Sequence, residues 1–358
     1  MYELNSKLKR IEAYDPSEAK YDIRLDANES FFNINEELGE KISNAIKKLD
    51  LNRYPDPMAT EVVEAFAKLY NVPKEFVTAG NGSDELISII SSTFLEKDDK
   101  ILALSPDFSM YAFYASLYEL KVETLPKTDN LQINIQKVIE YCNNNSIKAV
   151  IFSNPCNPTS IGISREDVIK LIKNVFCLVI VDEAYMDFWD QSVLDQVSEY
   201  DNLIVLKTCS KSIGLAAIRL GFAVAGEKIT TALKAVKSPY NTDTISQTIG
   251  TIILSEKELL QQHCNDIVES RKALQQQITE LSKKYNRFDK VYESVTNFVF
   301  IKTSIGKIIY EKLLEKSISI RFMGNYIRIT AGTEKENTAV IKAIDEILSE
   351  LDDAGKEE

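Results

Sequence analysis

The sequence predicts an α/β protein: a large domain built on a mostly parallel sheet sandwiched by helices, joined to a smaller α+β domain. Three observations carry this. The chain has 358 residues, room for about two domains at the usual 100–200 residues each. From about residue 76 to 225, short runs rich in Val, Ile and Leu alternate with helical stretches. Such runs mark strands covered on both faces, and intervening helices make the sheet parallel. After about 240 the texture changes to long helical spacing and then alternating strands. The expected division is 31–250 for the large domain, with 1–30 and 251–358 forming the small one.

Taken in order, the clearest strands are KILAL (100–104), KAVIFS (148–153), CLVIVDE (177–183) and LIVLKT (203–208). Between them, residues 164–175 read as a helix with Ser164 as its cap and Asp167 in its first turn. Residues 255–285 keep apolar spacings of three and four without Pro or Gly, which predicts one long helix. NFVFIKT, SISIRF and YIRIT then alternate as strands, and residues 334–353 close as a helix. Residues 1–30 are too few to fold alone and are expected to pack on one of the domains.

Composition narrows the function. Hydrophobic residues make up 44% and charged residues 27%, with a net charge of −12. That is ordinary globular composition, and the acidic balance argues against a nucleic-acid binder. Five cysteines without a CxxC pair fit reduced thiols rather than a disulfide framework. With His263 the sole histidine and no ligand spacing among the cysteines, zinc is not expected. His263 lies in a polar stretch and reads as an exposed helix residue, yet Ser-His-Asp or Cys-His catalysis would need it. The charged N-terminus lacks the apolar core of a signal peptide, and no apolar run reaches the ~18 residues of a membrane helix. The expectation is a soluble, cytoplasmic protein.

Chemistry in open α/β sheets gathers beyond the carboxyl ends of the strands, and three strand ends are rich in polar residues. They lead into NPCNPTS (154–160), DEAYMDF (182–188) and TCSKSIGLAAIRLG (208–221). Lys211 stands eight residues before Arg219, with hydroxyls at Thr208, Ser210 and Ser212. That is a reasonable phosphate-and-amine site.

Taken with LDANES (25–30), RYPDP (53–57), GNGSDELI (80–87), SPDFSMY (105–111), SPYNTDTISQ (238–247) and YIRITAGTEKEN (326–337), these segments resemble, in order and over nearly the whole chain, the fold-type I aminotransferases that use pyridoxal phosphate. Within them, the chain is similar to the histidinol-phosphate aminotransferases. The resemblance implies pyridoxal 5'-phosphate as cofactor, the cofactor acting as electron sink while the protein attaches, orients and tunes it. Lys211 is then the amine that forms the Schiff base and later carries the proton. Asp182, following an apolar strand, pairs with the ring nitrogen, while Glu183 points the other way and is structural. Tyr185 and Asn157 reach the ring oxygen, and Tyr111 stacks on the ring. Arg219, Ser210, Thr208 and the Ser83 and Asp84 amides at a helix N-terminus take the phosphate. Tyr54 corresponds to a tyrosine that reaches the neighbouring subunit's cofactor, which implies a homodimer with shared active sites.

On the substrate side, the resemblance gives Arg328 to a carboxylate, Arg321 to a substrate phosphate, and Tyr240 and Asn28 to further contacts. The implied reaction moves an amino group from histidinol phosphate to 2-oxoglutarate, as in histidine biosynthesis. The alternatives are a threonine-phosphate decarboxylase, or an aminotransferase for aromatic or other amino acids. A catalytically silent relative would have lost the lysine, the aspartate or the phosphate arginine, and all three are present. The chain departs from the family pattern at Ser30 and Phe31, where Asn-Pro usually follows Asn-Glu, and at Ser160 and Ala217, where glycine is usual.

Overall fold

The computed structural model describes residues 2–5 and 20–354; most of the charged N-terminal segment read above lies outside them. The first strand, β1 (Ile23–Leu25), belongs to a sheet otherwise built from the C-terminal part of the chain. Seven strands follow: β2 (Val77–Asn81), β3 (Lys100–Ser105), β4 (Lys121–Pro126), β5 (Ile147–Ser153), β6 (Leu178–Asp182), β7 (Leu203–Thr208) and β8 (Leu220–Ala225). They form one sheet in the order β2-β8-β7-β6-β5-β3-β4. Only β8 runs against the others.

The runs of Val, Ile and Leu explain why this sheet is buried on both sides. Alternation along a strand sends successive side chains to opposite faces. Val150, Phe152, Val179, Val181, Leu203 and Val205 enter one apolar core. Ala149, Ile151, Ile180, Ile204 and Leu206 enter a second on the other face. Helix 165–174 covers the first with Val168, Leu171 and Ile172. Its cap is as expected, since the Ser164 side chain accepts from the Asp167 N–H.

The second sheet adds β9 (Lys290–Val291), β10 (Phe298–Lys302), β11 (Ile318–Met323) and β12 (Tyr326–Thr330), in the order β1-β11-β12-β10-β9. One face, with Val299, Ile301, Ile318, Ile320, Ile327 and Ile329, packs on helices 274–281 and 340–348. The other presents Phe298, Phe300, Arg328 and Arg321 towards the large sheet's loops. Helix Lys257–Tyr285 serves both cores: Leu260 joins the first, while Leu274, Ile278 and Leu281 join that of the small sheet. The switch of core falls inside this helix.

One expectation is corrected. His263 is 3% exposed. Its ring stacks on Phe32 at 3.9 Å, and Nε2 lies 2.9 Å from Glu37 Oε1. Polar neighbours in sequence disguised it, because its burial comes from an apolar residue far away in the chain. All five cysteines are buried and free. Among the described residues, no helix is long and apolar enough to cross a membrane.

Candidate active site

The carboxyl ends of β2, β3, β5, β6 and β7 share one edge of the large sheet, so their following loops converge. β6 ends in Asp182, 4% exposed. Tyr111 Oη donates to its Oδ2 (2.8 Å) and the Ala184 N–H to its Oδ1 (3.1 Å). Burial pushes this carboxyl up to about 6, against the lowering effect of the two donors. Among the described residues no cation pairs with it. Glu183 turns the other way, as expected: it accepts from Ser192 Oγ (2.6 Å) and the Val193 N–H (2.8 Å), anchoring a loop.

On the adjacent strand, β7 leads into Lys211. Its ammonium donates to the Ala27 carbonyl (3.0 Å) and lies 5.8 Å above the Tyr185 ring. Tyr185 Oη accepts from Asn28 Nδ2 (2.8 Å). Asn28 is 1% exposed and left-handed at φ 55, a conformation asparagine tolerates better than most. Its N–H donates to Thr330 Oγ1 (3.1 Å), and its carbonyl accepts from Asn297 Nδ2 (3.1 Å). The segment after β1 is thereby clamped between Lys211 and the small sheet. Asn297 and Thr330 were not singled out from the sequence.

A corner rich in hydrogen-bond donors adjoins. Ser210 N–H and Thr208 Oγ1 are 3.2 Å apart, the two hydroxyls 3.0 Å apart, and Arg219 Nη1 reaches Ser210 Oγ at 3.4 Å. Arg219 Nη2 also pairs with Asp84 (3.1 Å). Ser83 and Asp84 open the helix Gly82–Thr93, whose N–H groups carry the positive end of its dipole. Glu85 caps the same helix by accepting from the Asn81 N–H (2.7 Å). Two glycines allow the close approach. A Cβ on Gly221 would sit 2.5 Å from Ser83 N, and one on Gly82 (φ +78) 2.8 Å from Arg219 Nη2.

Arg328 faces this cluster from β12. It donates to Asn157 Oδ1 (2.5 Å) and the Asp26 carbonyl (2.6 Å) and lies 5.3 Å over the Phe298 ring. Arg321 stands directly opposite it across the β11–β12 ladder, which puts both side chains on the same face. Arg321 is exposed and, among the described residues, has no carboxylate partner.

One placement differs from expectation. Tyr111 is 1% exposed and packs edge-on against Phe108 at 5.5 Å, so its phenol, bound to Asp182, is its visible contribution rather than an open ring face. Tyr54 and Tyr240 stack on each other at 4.5 Å, 81% and 46% exposed, and hydrogen-bond to none of the cluster. Of the departures, Ser160 is left-handed at φ 63, which explains why glycine is usual there. Its hydroxyl shares its proton between the Thr159 (2.5 Å) and Glu293 (3.1 Å) carbonyls, offsetting the strain. Ser30 Oγ accepts from the Phe32 N–H (3.2 Å), a local turn that closes the segment without proline. Ala217 lies in a short 3-10 turn, Ala216–Ile218; nothing in the structure explains the change from glycine.

Comparison with known proteins places this architecture. A profile for aminotransferase class I and II matches residues 21–344, and the chain belongs to that family. It is 41% identical over 342 residues to the histidinol-phosphate aminotransferase of Clostridium novyi, covering 94% of this chain and 95% of that one. The Clostridium kluyveri histidinol-phosphate aminotransferase is 36% identical over 346 residues, covering 95% and 97%. The fold is shared with histidinol-phosphate aminotransferase from Sinorhizobium meliloti, solved in complex with pyridoxal-5'-phosphate, at a TM-score of 0.88 and 20% identity over 98% of this chain and 99% of that one.

Proposed function

We propose that this enzyme transfers an amino group from histidinol phosphate to 2-oxoglutarate, yielding imidazole-acetol phosphate and glutamate, with pyridoxal 5'-phosphate as cofactor. The observation that carries the substrate is the pair Arg321 and Arg328. Like charges directly opposite in a ladder repel, and a dianionic phosphate relieves that repulsion while pairing bidentately. The net charge of −12 repels such a substrate at long range, so local guanidiniums must supply the attraction. Arg328 also serves the 2-oxo acid carboxylate by turns, since histidinol phosphate has none.

The residues present suit the cofactor. An acid raised by burial and lacking a cation matches a protonated ring nitrogen. The Arg219 corner, with its two hydroxyls and helix N-terminus, matches a phosphate, and the two glycines keep it open. When bound, the cofactor supplies the electron sink that withdraws charge from the substrate's amine-bearing carbon. The rest is done by side chains. Lys211 attaches the cofactor and then moves the proton at that carbon, its amine kept on target by Tyr185 and Ala27. Asp182 holds the ring nitrogen's proton. Asn157 and Tyr185 orient the ring oxygen, and Asn28 fixes Tyr185. Arg328 and Phe298 present the substrate and help exclude water.

Arg321→Ala should raise KM for histidinol phosphate by roughly 10- to 100-fold, the loss of one charge-assisted contact, and leave KM for an unphosphorylated amine donor unchanged. Equal effects on both donors would remove Arg321 from the phosphate site. Release of CO2 from threonine phosphate without amino transfer would replace the proposed reaction.

The exposed Tyr54–Tyr240 stack supports a homodimer in which Tyr54 completes the neighbour's phosphate site. Sedimentation should give a dimer, and Tyr54→Ala should weaken cofactor affinity without unfolding the subunit. A monomer with full activity would sink this.

A further inference from the structure

Beside the residues assigned above lies a buried ion pair that the proposed chemistry does not use. Lys127, just past β4, and Asp107, just past β3, are 3.3 Å apart with side chains 1% and 2% exposed. Lys127 Nζ also donates to the Pro106 carbonyl (2.7 Å) and to Cys156 Sγ (2.9 Å). A buried pair is weak evidence of stabilisation, because desolvation offsets much of the attraction. What the pair holds is therefore the more informative question.

Asp107 uses its second oxygen on the neighbouring strand end. Oδ1 accepts from the Phe108 N–H (2.9 Å), from the Ser153 N–H (3.3 Å) and, more closely, from the Ser153 hydroxyl. With its proton committed to a carboxylate, Ser153 Oγ turns a lone pair to the Asn157 N–H (3.2 Å). A hydroxyl that donates to a charged acceptor is itself polarised into a better acceptor. Asn157 Oδ1 is already taken by Arg328 (2.5 Å), which leaves Nδ2 as the side chain's donor. The chain Lys127, Asp107, Ser153, Asn157 thus runs from a closed core to the cofactor side of the cleft.

We infer that Lys127, Asp107 and Ser153 form a positioning relay that fixes Asn157 and thereby sets the basicity of the cofactor's ring oxygen. This rests on the reading that Asn157 donates to that oxygen. Removing a donor from an oxygen acceptor makes it more basic, so a proton shared with it is held more tightly.

The test is a pH titration of the visible absorbance of the holoenzyme, with Asn157→Ala as the benchmark and thermal melts alongside. Ser153→Ala should move the midpoint upward, in the same direction as Asn157→Ala, by roughly half to one pH unit, the scale of one ordinary hydrogen bond. The double variant Asp107→Asn/Lys127→Met, which removes both charges together, should reproduce that shift; if it fails to fold, Ser153→Ala alone decides. A shifted midpoint in Asn157→Ala with an unmoved one in Ser153→Ala would overturn the relay. An unmoved midpoint in Asn157→Ala would instead overturn the reading of Asn157, and the relay with it.

Discussion

Lys211→Ala is expected to abolish amino transfer, with a fall at or beyond the upper end of the 10²–10⁴-fold that a positioned proton carrier contributes, because attachment is lost as well. The structure says why no neighbour can substitute. Lys207, on β7 itself, is 3% exposed and locked against Asp187 at 2.5 Å beneath the Tyr70 ring. Lys127 is enclosed by Asp107, Cys156 and Pro106. Lys211 alone of the three is turned to the cleft, holding a carbonyl rather than a carboxylate. Asp187 steadies it indirectly by accepting from the hydroxyl of Ser212, the next residue. Borohydride reduction followed by peptide mass mapping should put the pyridoxyl group on Lys211. Label on any other lysine would overturn the assignment.

Asp182→Asn is expected to move activity and stability in opposite directions. The carboxyl is raised by burial from 3.8 to about 6, so the folded state binds its proton more tightly than the unfolded state does. Stability associated with that proton is fully present below about 4 and is lost as pH rises through about 6. At pH 7–8 the wild-type apoprotein therefore carries a penalty on the order of 2–3 kcal/mol, which the neutral amide of the variant would escape. The variant apoprotein should be the more stable of the two at neutral pH, with the gap closing towards pH 4. Its transaminase activity should drop by roughly 10²-fold or more, and its hold on the cofactor should weaken, since the ring nitrogen loses its charge partner. Urea titrations of cofactor-free protein across that range decide the matter. Parallel curves for the two proteins would mean that Asp182 is not a strained acid.

How much of this was legible in the sequence depends on where each signal resides. Four of the seven large-sheet strands, β3, β5, β6 and β7, announce themselves, because burial on both faces demands unbroken apolar runs; β2, β4 and β8 were not named, and β4, at the sheet edge, buries only Leu125. The strand-end motifs resemble those of a known family, and that resemblance let Asp182, Lys211 and Arg219 be named as candidates without coordinates. His263 could not be placed, since its burial depends on the Phe32 ring. Lys127 and Lys207 hid for the same reason: a lysine in or beside a strand reads as a surface residue until its carboxylate partner is known. The core switch inside helix Lys257–Tyr285 leaves no mark either, for neither core requires a break in the helical spacing. Tyr111 was read as a ring stacking on the cofactor; its covered ring and its bond to Asp182 are properties of packing.

The pairing of β1 with β11, Ile23 opposite Ile318, bears on how the enzyme comes to be made. The residues just after β1 supply the carbonyls that hold Lys211 and Arg328, yet β11 is among the last strands to leave the ribosome. A nascent chain can close its large sheet before β11 is made, because all seven of its strands lie before residue 226. Strand β1 has no strand to pair with until β11 has emerged. Catalytic competence is therefore acquired in one late step. A chain that stops short of Ile318 should emerge with the large domain formed and no transaminase activity.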